Sequence, residues 1–92
     1  MKYVTISTLK PGIDNAKKAL EVFTIVGNAE GTETLLAGID GKTFVNIVES
    51  DDPDLATAMT YAPFFESVTV IPVAEVDDKW MAAIQKAVVA WG

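Results

Sequence analysis

The chain has no cysteine, no histidine and no arginine, and each absence removes chemistry. Without Cys there are no disulfides, thiol nucleophiles, zinc ribbons or iron–sulfur clusters. Without His the commonest general base, haem ligand and zinc ligand go together. All the cations are Lys, so no guanidinium fork is available to grip a phosphate or carboxylate. The 13 acids against 7 lysines leave a net charge of −6, which repels nucleic acid and anionic membranes. No apolar run approaches the roughly 18 residues needed to cross a bilayer. Met1-Lys2-Tyr3-Val4 enters a strand at once, without a signal peptide's apolar segment, so a cytoplasmic protein is expected. Metal and cofactor sites are not expected: no nucleophile–base pair, phosphate loop or metal-ligand spacing is present.

What is present is oil. Half of the 92 residues are hydrophobic, enough for one modest domain spanning residues 1–92. The stretch from Thr43 to Ala62 organises the rest. Phe44, Val45, Asn46, Ile47 and Val48 read as a strand with apolar side chains on both faces. Asp52 then suits an N-cap, Pro53 a first helical position and Asp54 the positive helix end. Leu55, Ala58, Met59 and Ala62 make that helix's stripe.

The remaining elements follow from period. Tyr3 to Thr8 alternates as a first strand, with Tyr3, Thr5 and Ser7 on one face and Val4 and Ile6 on the other. Lys10-Pro11-Gly12 breaks it. Ala16, Ala19, Leu20, Phe23 and Val26 then recur at helical spacing after Asp14, a plausible N-cap, and Gly27-Asn28 ends the helix. Thr32 to Ile39 is a second strand, joined to the third through Asp40-Gly41, the signal of a two-residue type I′ hairpin. That turn opposes Ala37 to Phe44, Leu36 to Val45, Leu35 to Asn46, Thr34 to Ile47, Glu33 to Val48 and Thr32 to Glu49; a one-residue bulge would reverse part of this. Tyr61 to Phe65 is an aromatic corner, and Ser67 to Val76 a fourth strand whose Pro72 places it at a sheet edge. Asp77-Asp78 opens a last helix, with Trp80, Ile84, Ala87, Val88 and Trp91 on one stripe.

The order β-α-β-β-α-β plus a C-terminal helix is the α+β, ferredoxin-like arrangement with a four-stranded antiparallel sheet. Right-handed crossovers put the two central helices on one face. The face with Leu36, Val45 and Ile47 is expected beneath them. The opposite face is then expected to show Tyr3, Thr5, Ser7, Leu35, Phe44, Asn46, Val48, Thr69, Ile71 and Val73. Covering about 600–800 Å² of apolar surface there is worth on the order of 15–20 kcal/mol before association costs. Face-to-face homodimerisation, in the manner of a dimeric α/β barrel, is the simplest way to cover it.

Three short stretches carry a resemblance: Met1-Lys2-Tyr3 leading to Leu9-Lys10-Pro11-Gly12, Phe44 to Asp52 ending in Val48-Glu49-Ser50-Asp51-Asp52, and Val70-Ile71-Pro72-Val73. With them the chain resembles the dimeric α/β-barrel superfamily, and more closely a small bacterial family in it that carries only a domain-of-unknown-function label. The superfamily includes cofactor-free quinone-forming monooxygenases, muconolactone-type isomerases, haem-dependent members and stress-induced proteins without assigned chemistry. Haem chemistry through a His ligand does not carry over. Where the closer family often has Trp in the first strand this chain has Ser7, which implies a roomier or differently lined pocket.

The candidate ligand-binding residues are Tyr3, Thr5, Ser7, Phe44, Asn46, Thr69 and Ile71. Their hydroxyl, amide and apolar mixture suits a small, largely apolar ligand held between sheet and helices or at the dimer interface. Asn46 either orients a ligand carbonyl or satisfies its amide across the dimer seam. Glu49 is the weak candidate for a general base, if desolvation raises its pKa; the plainer reading is a strand-end residue pairing with Lys or backbone donors. Trp80 and Trp91 serve packing or a dimer contact before they serve an aromatic ligand. Asp51, Asp52 and Asp54 lack the spacing of a calcium loop, and a helix start accounts for them. Two functions compete with ligand binding alone: a cofactor-free isomerase or monooxygenase, and a purely structural or interaction module.

Overall fold

A computed structural model describes residues Met1–Gly92. The chain runs β1 (Lys2–Leu9), α1 (Ile13–Val26), β2 (Thr32–Ala37), β3 (Thr43–Glu49), α2 (Leu55–Tyr61), a short 3-10 turn (Ala62–Phe64), β4 (Phe65–Val73) and α3 (Asp78–Trp91). The strands form one antiparallel sheet in the order β2-β3-β1-β4. This is the ferredoxin-like arrangement with a helix added at the C-terminus. Pro72 lies on β4, an edge strand, where a residue without an N–H costs no central ladder bond. No helix is long and apolar enough to cross a membrane.

The β2–β3 connection differs from the expected two-residue turn. Asp40 does not take the positive φ that type I′ requires, and only Gly41 does, at 75°. The strands instead meet at Gly38, whose N–H donates to the Thr43 carbonyl at 2.7 Å, and a longer loop closes between them. The Asp40 carboxylate ties that loop, accepting from the N–H groups of Lys42 and Thr43 at 3.0 Å each and from the Thr43 hydroxyl at 2.7 Å. The register survives because Gly38 and Thr43 lie in phase with the expected pairs. Ala37 opposes Phe44, Leu36 opposes Val45, Leu35 opposes Asn46 and Thr34 opposes Ile47. Beyond Thr34 an irregularity at Glu33 puts Thr32, not Glu33, opposite Val48, so the last two expected pairs are corrected.

The helix starts are also displaced. Gly12, at φ 113°, precedes α1, and Asp14 falls in its first turn rather than at the cap. Asp54, not Asp52, caps α2: its Oδ1 accepts from the Thr57 N–H at 3.1 Å and its Oδ2 from the Thr57 hydroxyl at 2.8 Å. Asp77 caps α3 through the Trp80 N–H at 2.8 Å. β4 begins earlier and ends earlier than expected, taking in Phe65 and releasing Ala74–Val76.

The larger correction is the face beneath the helices. Ser7, Leu9 and Val48 are the buried residues, and all three sit on the side that α1 and α2 cover. The helices therefore lie over the face carrying Tyr3, Thr5, Ser7, Phe44, Asn46 and Val48. The face carrying Val4, Ile6, Leu36, Val45 and Ile47 is left open. Both faces of β3 are apolar, so composition favours neither orientation.

Candidate functional site

Between the sheet and the pair α1–α2 lies a groove of about 900 Å³. Alternation along the strands builds its floor: Tyr3, Thr5, Ser7 and Leu9 of β1 beside Phe44, Asn46 and Val48 of β3. β4 contributes Val68, Val70 and Pro72, which oppose Ser7, Thr5 and Tyr3. The walls are Ala16, Ala19, Leu20 and Phe23 of α1 and Leu55, Ala58 and Met59 of α2. The helices shelter β1 and β3 but not β4, where Val68 and Val70 stay 52% and 58% exposed. The mouth of the groove is thus over the β4 edge.

Three polar stitches hold the walls in place. Asn15 Nδ2 donates at 3.1 Å to the carbonyls of both Lys10 and Phe64, fastening the start of α1 to the end of β1 and the turn before β4. The Tyr61 hydroxyl donates to the Gly27 carbonyl at 2.7 Å, joining the ends of α2 and α1. Burial pushes the Tyr61 pKa up, and Phe65 packs edge-on to both Tyr61 and Phe44 at 6.5 Å. Asp54 adds a bond from the Glu30 N–H at 3.0 Å. That backbone donor, ahead of the Thr57 hydroxyl, holds the Asp54 carboxyl below its ordinary value. A charged acceptor thereby sets α2 against the segment entering β2.

Five of the seven expected ligand-binding residues meet in this groove: Tyr3, Thr5, Ser7, Phe44 and Asn46. Thr69 and Ile71 do not. They oppose Ile6 and Val4, and so belong to the open face. Sequence pattern alone set the β4 parity off by one, because no short turn ties β4 to β1. Val68 and Val70 take the places expected for Thr69 and Ile71. No buried side-chain polar atom lacks a partner, and the polar floor residues remain reachable from the groove.

Glu49 lies outside the groove lining, with its side chain half exposed, and pairs at 3.0 Å with the terminal ammonium of Met1. Its partner is thus a terminal ammonium at the strand end. Asp51 accepts from the same ammonium at 2.7 Å, which holds its carboxyl below the usual range. Lys2, on the open-face side, reaches Glu33 at 3.3 Å and Glu75 at 3.5 Å. These pairs are too exposed to contribute much to stability.

The wall residues Ala19, Leu20, Phe23 and Ala58 are legible as helix stripes, but their facing a cavity rather than a closed core is not. Their exposure shows it: Leu20 is 65% and Phe23 38% exposed although both point over the sheet.

A search of curated proteins finds no significant match. The model of one family, described as Domain of unknown function (DUF3303), matches residues 1–88. That match takes in every strand, both groove helices and most of α3, and by it the chain belongs to the DUF3303 family.

Proposed function

We propose that the protein binds a small, largely apolar molecule in the groove between the sheet and α1–α2. The observation that carries this reading is the groove's division of labour. Its walls are almost wholly hydrocarbon, while Tyr3, Thr5, Ser7 and Asn46 place hydroxyls and an amide on its floor. Pockets that hold small ligands share this pattern, with volumes of about 300–1,000 Å³ and a few polar groups that set orientation. Asn46 offers both a donor and an acceptor, so a ligand with one carbonyl or hydroxyl on an apolar body fits. The two carboxylates that line the groove, Asp51 and Asp54, are taken up by the terminal ammonium and by the Glu30 and Thr57 donors, and this favours binding over isomerase or oxygenase chemistry.

Titration with an apolar fluorophore whose emission rises out of water tests the reading. Saturable binding at one site per chain is expected. The groove-filling variant Ala19→Phe should abolish it while circular dichroism stays native. Binding that Ala19→Phe leaves intact would overturn the assignment.

A second copy of the chain belongs to the same reading, as the cover for the open sheet face. A compact monomer of 9.9 kDa exposes about 5,200 Å², against 6864 Å² here. The excess is about 1,650 Å² per chain, or about 3,300 Å² per pair, within the range of obligate homodimer interfaces. Were a third of it groove wall, the remainder would still reach that range. Leu36, Ile71 and Val73 on the open face are 54%, 44% and 36% exposed.

A further inference from the structure

The C-terminal helix makes no extensive contact with any other element of its own body. Its stripe carries Trp80, Val88 and Trp91 at 37%, 53% and 79% exposure. Helix α3 is well made all the same, capped by Asp77 and fourteen residues long. A chain of this length packed as a globule has a radius of gyration of about 12 Å, whereas this one has 16.4 Å. The long axis is 51 Å against roughly 30 Å for β4, the longest strand, so the molecule reaches roughly 20 Å beyond its sheet. Helix α3 thus continues past the end of the sheet instead of turning back over it.

One chain therefore presents two apolar surfaces without partners, a helix stripe and a sheet face. We propose that α3 is an arm exchanged between two copies, each laying its Trp80, Ile84, Val88 and Trp91 stripe on the open sheet face of the other. The inference rests on the reading that a second copy covers that face, and it names the segment that does so. Two-fold exchange satisfies both surfaces at once, because the helix each copy gives is the helix its own face lacks. The dimensions agree: the stripe from Trp80 to Trp91 runs about 17 Å along the helix, and the four strands together span roughly 19 Å across. Two tryptophans supply the anchors, the residue type that most often dominates such contacts. The same exchange leaves the groove on the opposite side of the sheet free for its ligand.

The composition makes the test clean. Both tryptophans of the chain lie in α3, so intrinsic emission reports this helix alone, and the lack of Cys lets a pair be introduced without background. The expected result is a dimer by sedimentation whose tryptophan emission moves to the red on dilution, in step with dissociation. The Thr34→Cys/Ala87→Cys variant, treated with a short bis-maleimide, should then yield a covalent pair of chains. Val88→Asp, at a position exposed in the lone chain, should raise the dissociation constant at least about tenfold. A dimer whose emission ignores dilution, or whose cross-link joins residues of one chain, would overturn the arm and leave the covered face standing. A lone chain at all concentrations would overturn both, and fluorophore binding would still report on the groove by itself.

Discussion

Ile47→Thr separates the open sheet face from the groove beneath it. Ile47 lies on β3 opposite Thr34 and Val4, near the centre of the uncovered side. In a lone chain Ile47 is already half-buried among its strand neighbours, and Thr keeps the β-branched shape that suits a strand, so the change should cost only about 1 kcal/mol there. With a second copy seated there, the part of the side chain still in water is covered on each protomer. Full burial of an Ile contributes about 1.5–3 kcal/mol, so covering the remainder contributes about 0.5–1 kcal/mol, and two-fold symmetry counts it twice, for about 1–2 kcal/mol per pair. At about 1.4 kcal/mol per decade, the dissociation constant should rise roughly fivefold to thirtyfold. The Thr hydroxyl, without a partner in the apolar contact, pushes toward the upper figure. Sedimentation equilibrium across a concentration series reads the constant directly, with thermal denaturation of the dilute variant as the control for folding. A shift below about threefold would refute the reasoning, because it would mean that no second copy covers Ile47.

Three further expectations concern the single chain. Val48 is 2% exposed under the helices, so Val48→Ala should cost about 1.5–3 kcal/mol and lower the melting temperature by roughly 10 °C; no change would mean that the groove floor is not packed there. Gly31 has φ +88°, and a Cβ on it would run into the backbone carbonyl of Glu49. Gly31→Ala should therefore destabilise by at least about 2 kcal/mol in chemical denaturation, from backbone strain alone before the clash is counted; a native denaturation midpoint would show that the β2 entrance adopts another conformation. The carboxyls of Asp40 and Asp54 lie below their ordinary values, held down chiefly by the backbone N–H groups of Lys42 and Glu30. Because the folded-state values are depressed, this stabilisation is fully present above the unfolded carboxylate range, near pH 4, and is lost as the pH falls through the folded values. Asp54→Asn, still a competent cap, should flatten the acid limb of the melting-temperature profile, and an unaltered limb would show that Asp54 contributes nothing to it.

The fold was legible because its signals are local. Alternation in β1, the helical stripe from Ala16 to Val26, and Pro72 near the end of an edge strand are each read within about a dozen residues. The β2–β3 register was legible for a less expected reason: the loop is longer than a type I′ turn, but Gly38 and Thr43 keep the same phase. The β1–β4 register has no such anchor. The two strands lie at opposite ends of the chain, and a single residue of slip exchanges Thr69 and Ile71 for Val68 and Val70. The stitches that set the groove walls were invisible for a similar reason. Asn15 reaching Phe64, Tyr61 reaching Gly27 and Asp54 reaching Glu30 all join segments distant in sequence, through side chains that in isolation read as ordinary helix and turn residues.

Exchanging the two faces changes what each side of the sheet can do. A polar floor pressed against a second copy would have to satisfy Asn46, Ser7 and Thr5 across the seam, at a cost for every mismatched donor. Placed beneath α1 and α2, the same residues stand in a groove that water or a ligand can reach, where imperfect pairing costs little. The open face carries few such groups: Val4, Ile6, Leu36, Val45, Ile47 and Ile71 need only burial, Thr34 and Thr69 lie on the edge strands β2 and β4, and Thr8 and Thr43 pair at one end of the central strands. A non-directional surface of this kind associates without demanding an exact register from its partner. Under the proposed reading, the corrected orientation puts the selective chemistry in the groove and an undemanding contact where a second copy would sit. Variants on one side should accordingly leave the other untouched: Ala19→Phe should spare the dissociation constant, and Ile47→Thr should spare fluorophore binding. Each change altering both readouts would show that groove and open face are a single continuous site.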